Sequence, residues 1–311
     1  MSSFPTTTIE PPQPAVAPSL FEKLQTFATD IKVSHTVFAM PWAILSAIMA
    51  WDLVRGPLAG KLGLVVACMV TARTVAMSAN RLLDAAIDAK NPRTARRAVP
   101  SGRLSRSFVT AALIACAAIF VAATAGFWFL YANPWPLLLS IPVLAFLSAY
   151  PLLKRFTRLC HYYLGAALAL APVCAWIAIA GTIAWPPAIM AVAVLAWTAG
   201  FDIIYACQDY DCDVRDGVHS VPAKLGIARA LWVARLTHVV CFALLVTLGI
   251  VSPQLDVPYF IGVACAGLLL VVEHTIVKPD DLSKVGLAFF TINGIVSLLM
   301  GTLGVIDVLV R

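Results

Sequence analysis

The sequence predicts an all-α, polytopic membrane protein. Three observations predict it: long apolar segments, little charge within them, and basic residues concentrated on alternate loops. Of 311 residues, 61% are hydrophobic and 12% charged, against about 25% charged in a soluble domain. That much apolar side chain cannot be hidden inside a water-soluble chain of this length. About 20 apolar residues cross a bilayer as a helix, which satisfies its own backbone groups in lipid.

Residues 1–20 are rich in Pro, Thr and Ser and contain no apolar run, so a disordered tail is expected there. A cleaved signal peptide would instead need a basic start and an apolar stretch. Residues 21–311 read as a single membrane domain. Spans are predicted near 33–51, 62–82, 108–131, 135–151, 160–181, 186–206, 230–251, 257–277 and 285–309, about nine in all. Breaks such as Asn133-Pro134, Trp185-Pro186-Pro187 and Pro253 separate them.

Loops after the second, fourth, sixth and eighth spans hold most of the basic residues, from Lys90 and Arg93 to Lys278 and Lys284. Loops after the third, fifth and seventh hold none. The positive-inside rule then places the N-terminus and the even-numbered loops in the cytoplasm, with a bacterial inner membrane as the expected location. The formal charge of +6 is therefore mostly topology. It does not point to nucleic acid. The eight cysteines are scattered and form no zinc spacing.

The carboxylates are concentrated. Of 16 acidic residues, seven lie in two places on the expected cytoplasmic side: Asp84 and Asp88 after the second span, and Asp202, Asp209, Asp211, Asp213 and Asp216 at the end of the sixth. In NRLLDAAID, residues Asn80, Asp84 and Asp88 recur every four positions and share one helical face. In DIIYACQDYDCD, steps of seven and four put Asp202, Asp209 and Asp213 on another face, with Tyr205 close to it. Arg73 lies on the Asn80 face and is expected to look into a cavity, because charge facing lipid is costly. Converging carboxylates call for a cation. Mg²⁺ takes one or two carboxylates and completes its shell with phosphate oxygens and water. Arg81, Arg93, Arg96, Arg97, Lys154 and Arg155 are available for further phosphate charge. A prenyl diphosphate held between the two faces fits this pattern.

These motifs resemble the UbiA superfamily of intramembrane prenyltransferases. NRLLDAAID matches its first aspartate motif, NxxxDxxxD, and DIIYACQDYDCD its second, DxxYAxxDxxxD. Between them YPLLKRFTRLCHYYLG resembles the family's YPxxKRxT segment. The resemblance implies nine helices around a central lipid-open cavity, capped on the cytoplasmic side. It implies Mg²⁺-dependent transfer of a polyprenyl group from its diphosphate to a hydroxylated aromatic acid, as in ubiquinone and menaquinone synthesis. By position, Asn80, Asp84, Asp209 and Asp213 fall to diphosphate and Mg²⁺, with Asp88 in support. Asp202 falls near the acceptor, with Arg155 and Tyr205 as further catalytic candidates. Lys154, Arg73 and Arg81 are candidates for the diphosphate or an acceptor carboxylate.

One departure bears on the acceptor. After KRxT, common 4-hydroxybenzoate enzymes carry Pro-Gln, where this chain has Cys160 and His161. The stretch DGVHSVPAKLG also looks closer to relatives that act on a naphthoate in the futalosine route. Benzoate and naphthoate both stay open. Two other functions compete. A CDP-alcohol phosphotransferase would need Ala-Arg after Asp216-Gly217, which is missing. A transporter would place polar groups at the bilayer midplane rather than on one side.

Overall fold

The computed structural model describes residues 19–311, except the side chains of residues 33–35. Most of the tail expected over 1–20 thus lies outside the described residues. Ser19 and Leu20 already belong to a helix cap: Ser19 Oγ accepts the Glu22 N–H and Glu22 accepts the Ser19 N–H, opening α1 (Leu20–Asp30). Phe27 of α1 and the Ile31 that follows it are buried against Leu104 and Val109, while Leu20 and Phe21 stay exposed.

Among the described residues, nine helical stretches are long and apolar enough to cross a membrane. They contain α2 (Met40–Val54), α3 (Ala59–Asp88), α4 (Arg106–Tyr131), α5 (Trp135–Leu153), α6 (Cys160–Ala180), α7 (Trp185–Ala206), α10 (Ile227–Val251), α11 (Val257–Ile276) and α13 (Asn293–Val310). Short α8 (Tyr210–Asp216) and α9 (Val221–Leu225) follow α7, and one turn, α12 (Val285–Leu287), precedes α13. The spans expected from the sequence all form.

Two features of the observed helices matter for the site. The second span does not stop before the acidic pair, because α3 runs on through Asp88. Asp84 and Asp88 are therefore fixed to a rigid helix. The sixth span ends at Ala206 as expected, but a 3₁₀ turn at Cys207–Asp209 follows it before α8 begins. The turn has three residues per turn instead of 3.6, so Asp209 and Asp213 no longer continue the Asp202 face as one α-helix would.

The core lies between α2, α6, α7, α10, α11 and α13, around the fully buried Trp42, Trp176, Trp197 and Tyr259. Small residues permit close helix crossings in lipid. At Gly165 an added Cβ would come within 2.4 Å of the Leu195 carbonyl oxygen, so α6 and α7 touch backbone to backbone there.

A buried polar network braces this core. Trp197 Nε1 donates to Asn293 Oδ1 at 2.7 Å, and Asn293 Nδ2 donates to Glu273 Oε1 at 2.8 Å and to the Ala288 carbonyl at 3.0 Å. The last bond satisfies an acceptor in the π-helical segment Ala288–Ile292, a geometry often found near functional sites. That segment turns Phe289 toward the cavity.

Candidate active site

A cavity of about 360 Å³ runs between the helices. Its walls are apolar, with Phe127, Leu139 and Leu168 among the lining residues. Its charged lining lies from the middle of α3 onward and at the end of α7, where Arg73, Arg81 and Asp202 line it beside Asn80 and Tyr205, together with Lys32 and Arg97.

On α3, the four-residue spacing puts Asn80 against Asp84. Asn80 Nδ2 donates to Asp84 Oδ2 at 2.6 Å, and Asn80 Oδ1 accepts from Arg81 Nη1 at 2.6 Å. Asp84, Asp88 and Asp209 are each met by a cation from elsewhere in the chain. Lys154, just past α5, lies 2.7 Å from Asp84 Oδ2. Arg97 bonds both oxygens of Asp88, at 2.8 and 2.7 Å. Arg93 forms a two-pronged pair with Asp209, at 2.8 and 2.5 Å, and Asn91 adds a bond of 2.8 Å. Asp213 is half-buried nearby.

Asp84 is 1% exposed, and its Oδ1 is buried without a hydrogen-bond partner. An unpartnered carboxylate oxygen is expensive to bury, so this atom is available to a hard cation. Among the described residues no three His, Cys, Asp or Glu side chains are close enough to hold a metal by themselves. The donor set fits an ion that takes its remaining oxygens from a ligand.

On α7, Asp202 faces the cavity and accepts from His161 Nδ1 at 2.7 Å. Tyr205 receives Arg93 Nη1 on its hydroxyl at 3.0 Å and packs its ring 4.2 Å from that of Phe289. In the loop after α3, burial works against the charge on Arg93, but the Asp209 carboxylate outweighs it and holds its pKa above the ordinary value.

Of the sequence-expected residues, Arg73, Asn80, Arg81, Asp202 and Tyr205 line the cavity, whereas Asp84, Asp88, Asp209, Asp213, Lys154 and Arg155 do not. Asp84 and Asp88 connect to the lining through bonds to Asn80 and Arg97, and Asp209 through Arg93, which also meets Tyr205. Arg155 is exposed and donates to the Leu83 carbonyl at 2.5 Å. Arg73 lines the cavity as expected, and donates to the Lys32 carbonyl at 2.8 Å.

Three residues were not anticipated as parts of the site. His161 was marked only as a departure from a motif. Asp30 accepts from Arg81 Nε at 3.0 Å and fixes that guanidinium. Lys32 sits between α1 and α2 in a left-handed conformation, and its ammonium reaches 4.6 Å from the Phe290 ring centre. Partial desolvation of this amine, on a residue that otherwise stays exposed, then Arg97, Arg81 and Arg93 nearby, push its pKa down to about 8. A run of Asp-Ile-Lys beside an apolar segment carries no signal for this role.

An intramembrane cavity with apolar walls and a charged end defines a membrane protein that handles an amphiphile with an anionic head. The family follows from comparison with known proteins. Residues 39–295 match the UbiA prenyltransferase family. The UbiA prenyltransferase claS of Ampulloclitocybe clavipes is 31% identical over 216 residues, 68% of this chain and 67% of the relative. A 4-hydroxybenzoate octaprenyltransferase of Vibrio vulnificus is 29% identical over 210 residues, covering 68% and 72%. Among solved structures, a UbiA homolog from Aeropyrum pernix K1 aligns with a TM-score of 0.75 at 28% identity, covering 89% of this chain and 98% of that one. A UbiA homolog from Archaeoglobus fulgidus, bound to DMAPP and Mg²⁺, has the same fold, with a TM-score of 0.69 at 17% identity and coverage of 92% and 100%. The chain belongs to the UbiA prenyltransferase family and is an integral membrane prenyltransferase.

Proposed function

We propose that the protein transfers a polyprenyl group from polyprenyl diphosphate to a hydroxylated aromatic acid of the 4-hydroxybenzoate type, in quinone biosynthesis. The observation that carries this reading is the cavity itself, apolar along its length and lined by cations, Asn80 and Asp202 at one end. An isoprenoid tail fits the walls and a diphosphate fits the charged end. The acceptor class draws on relatives such as the Vibrio vulnificus enzyme, named for 4-hydroxybenzoate.

Asp84, Asp88, Asp209 and Asp213 are the residues that would hold Mg²⁺, with the free Oδ1 of Asp84 as the clearest donor. Bound Mg²⁺ supplies positive charge for a departing diphosphate. Lys154, Arg81, Arg93, Arg97 and Lys32 bind and orient the same anion. Arg73 and Tyr205 hold the rim of the cavity in place through their bonds to Lys32 and Arg93. Apolar walls keep water from the allylic carbon as its bond to diphosphate breaks. A ring carbon then bonds that carbon, and Asp202 accepts the proton released.

The basic even-numbered loops support a cytoplasmic charged end, and relatives such as the Vibrio vulnificus enzyme support a bacterial inner membrane as its location. The direct test is to incubate purified protein with a prenyl diphosphate and Mg²⁺, offering 4-hydroxybenzoate and a dihydroxynaphthoate separately. A prenylated 4-hydroxybenzoate detected by mass, and lost with EDTA, supports the reading. A naphthoate product alone replaces the acceptor, and no product from either rejects the proposed reaction.

A further inference from the structure

His161 stands where the sequence departs from its relatives' motif, near the start of α6. It is 3% exposed and sits between two partners. Nδ1 lies 2.7 Å from Asp202 Oδ2, and Nε2 accepts the backbone N–H of Val221 at 3.2 Å. Val221 opens α9, a helix tied down on both sides. Ser220 Oγ caps it through the Ala223 N–H at 3.2 Å. Just before it, the His219 N–H donates to the Lys154 carbonyl at 2.7 Å.

A backbone N–H only donates. Nε2 must therefore offer its lone pair, which leaves Nδ1 to carry the proton. That makes His161 a neutral imidazole with one tautomer, whose single N–H points at Asp202. The carboxylate side chain is 22% exposed and faces the cavity, so Oδ2 is occupied while Oδ1 makes no hydrogen bond to any described residue.

We propose that His161 is a positioning residue: its Nδ1–H, fixed by the Val221 N–H, holds Asp202 with Oδ1 turned toward the aromatic acceptor. This deepens the proposed reaction and rests on it. In the transfer, the C1–oxygen bond of the prenyl diphosphate breaks and its electron pair leaves with diphosphate. The ring carbon bonds C1, and the ring proton passes to Asp202 Oδ1, then to water. His161 takes up no proton in this sequence, because a second proton on its ring would require loss of the Val221 bond. Its contribution is orientation of the carboxylate and support of its charged form by a donated hydrogen bond.

The test combines a spectroscopic reading with kinetics. With ¹⁵N-labelled histidine in nanodiscs, subtraction of the His161→Asn spectrum isolates the His161 nitrogens. A neutral Nδ1–H tautomer that is perturbed by Asp202→Asn is the expected result. An Nε2–H tautomer, an imidazolium, or indifference to Asp202→Asn overturns the proposal, whether or not the wild type prenylates any aromatic acid. In the prenylation assay, His161→Leu lowers kcat by about 100-fold, at the lower end of the range for proton-transfer catalysis, without changing KM for the prenyl diphosphate. His161→Asn keeps an N–H near the Nδ1 position and recovers most of that loss. Equal losses in both variants would mean that the imidazole itself exchanges the proton, and would overturn the positioning role. Absence of a wild-type product rejects the proposed acceptor chemistry separately.

Discussion

Lys154 Nζ lies 2.7 Å from Asp84 Oδ2, while the other oxygen of that carboxylate is buried with no partner. The same residue thus has one oxygen neutralised by the chain and one left without a partner, the atom proposed to meet an ion. Replacing Asp84 with Asn keeps the volume and the bond to Asn80 but removes the charge. We expect kcat to fall by at least about 100-fold, as when one stabiliser of transition-state charge is lost. Thermal unfolding should change little. A variant with near wild-type kcat would remove Asp84 from the diphosphate site.

The Arg97–Asp88 pair is largely buried, with side-chain exposures of 26% and 5%. Removing the cation strands a carboxylate away from water. Arg97→Ala is expected to destabilise the protein by about 3 kcal/mol and to raise KM for prenyl diphosphate. Thermal melts in detergent and initial-rate kinetics check the two effects separately.

Lys32 gives the site a pH dependence. Its folded pKa is pushed down to about 8, below the ordinary value of 10.5. The folded protein therefore holds the amine's charge below about pH 8 and loses it above, while the unfolded chain keeps it up to about 10.5. By linkage, folding stability carries a penalty below pH 8 that is relieved between 8 and 10.5. Affinity for the anionic substrate changes the other way, so KM for prenyl diphosphate should rise above pH 8. Lys32→Arg keeps its charge and should flatten that rise, whereas Lys32→Met should show a high KM at every pH. Three superimposable KM profiles would contradict the role.

Gly200 faces His238 so closely that an added Cβ would come within 2.2 Å of the ring. The ring is held there by His274 Nε2 at 3.0 Å and the Trp197 carbonyl at 3.1 Å. Gly200→Ala should destabilise the fold by about 2 kcal/mol through overpacking. His238→Ala in the same chain should recover part of this by making room. Calorimetry or dye-based melting in detergent provides the comparison.

The legible part of this protein was its periodic part. Apolar runs of span length survive as helices because lipid leaves the backbone few alternatives. The four-residue step of Asn80, Asp84 and Asp88 survives because α3 continues unbroken through it. What could not be read was non-local. Arg93 finds Asp209 116 positions away, and His161 finds Asp202 41 positions away, with no spacing rule to announce either. The 3₁₀ turn at Cys207–Asp209 altered the helical phase on which the second acidic face was drawn. Lys154 and Arg155 looked like a pair, but adjacent residues at a helix end diverge by about 100°. Only the first reaches an acidic motif residue.

The central claim is that the two acidic motifs together hold a diphosphate through Mg²⁺ at the charged end of the cavity. Equilibrium binding of a non-reactive prenyl thiodiphosphate, measured with and without Mg²⁺, tests it most directly. Tight binding that is lost with EDTA, and also lost separately in Asp84→Ala and Asp209→Ala, is the predicted result. Binding that ignores Mg²⁺ and both substitutions would contradict the account, because the diphosphate would then rest on the cations alone.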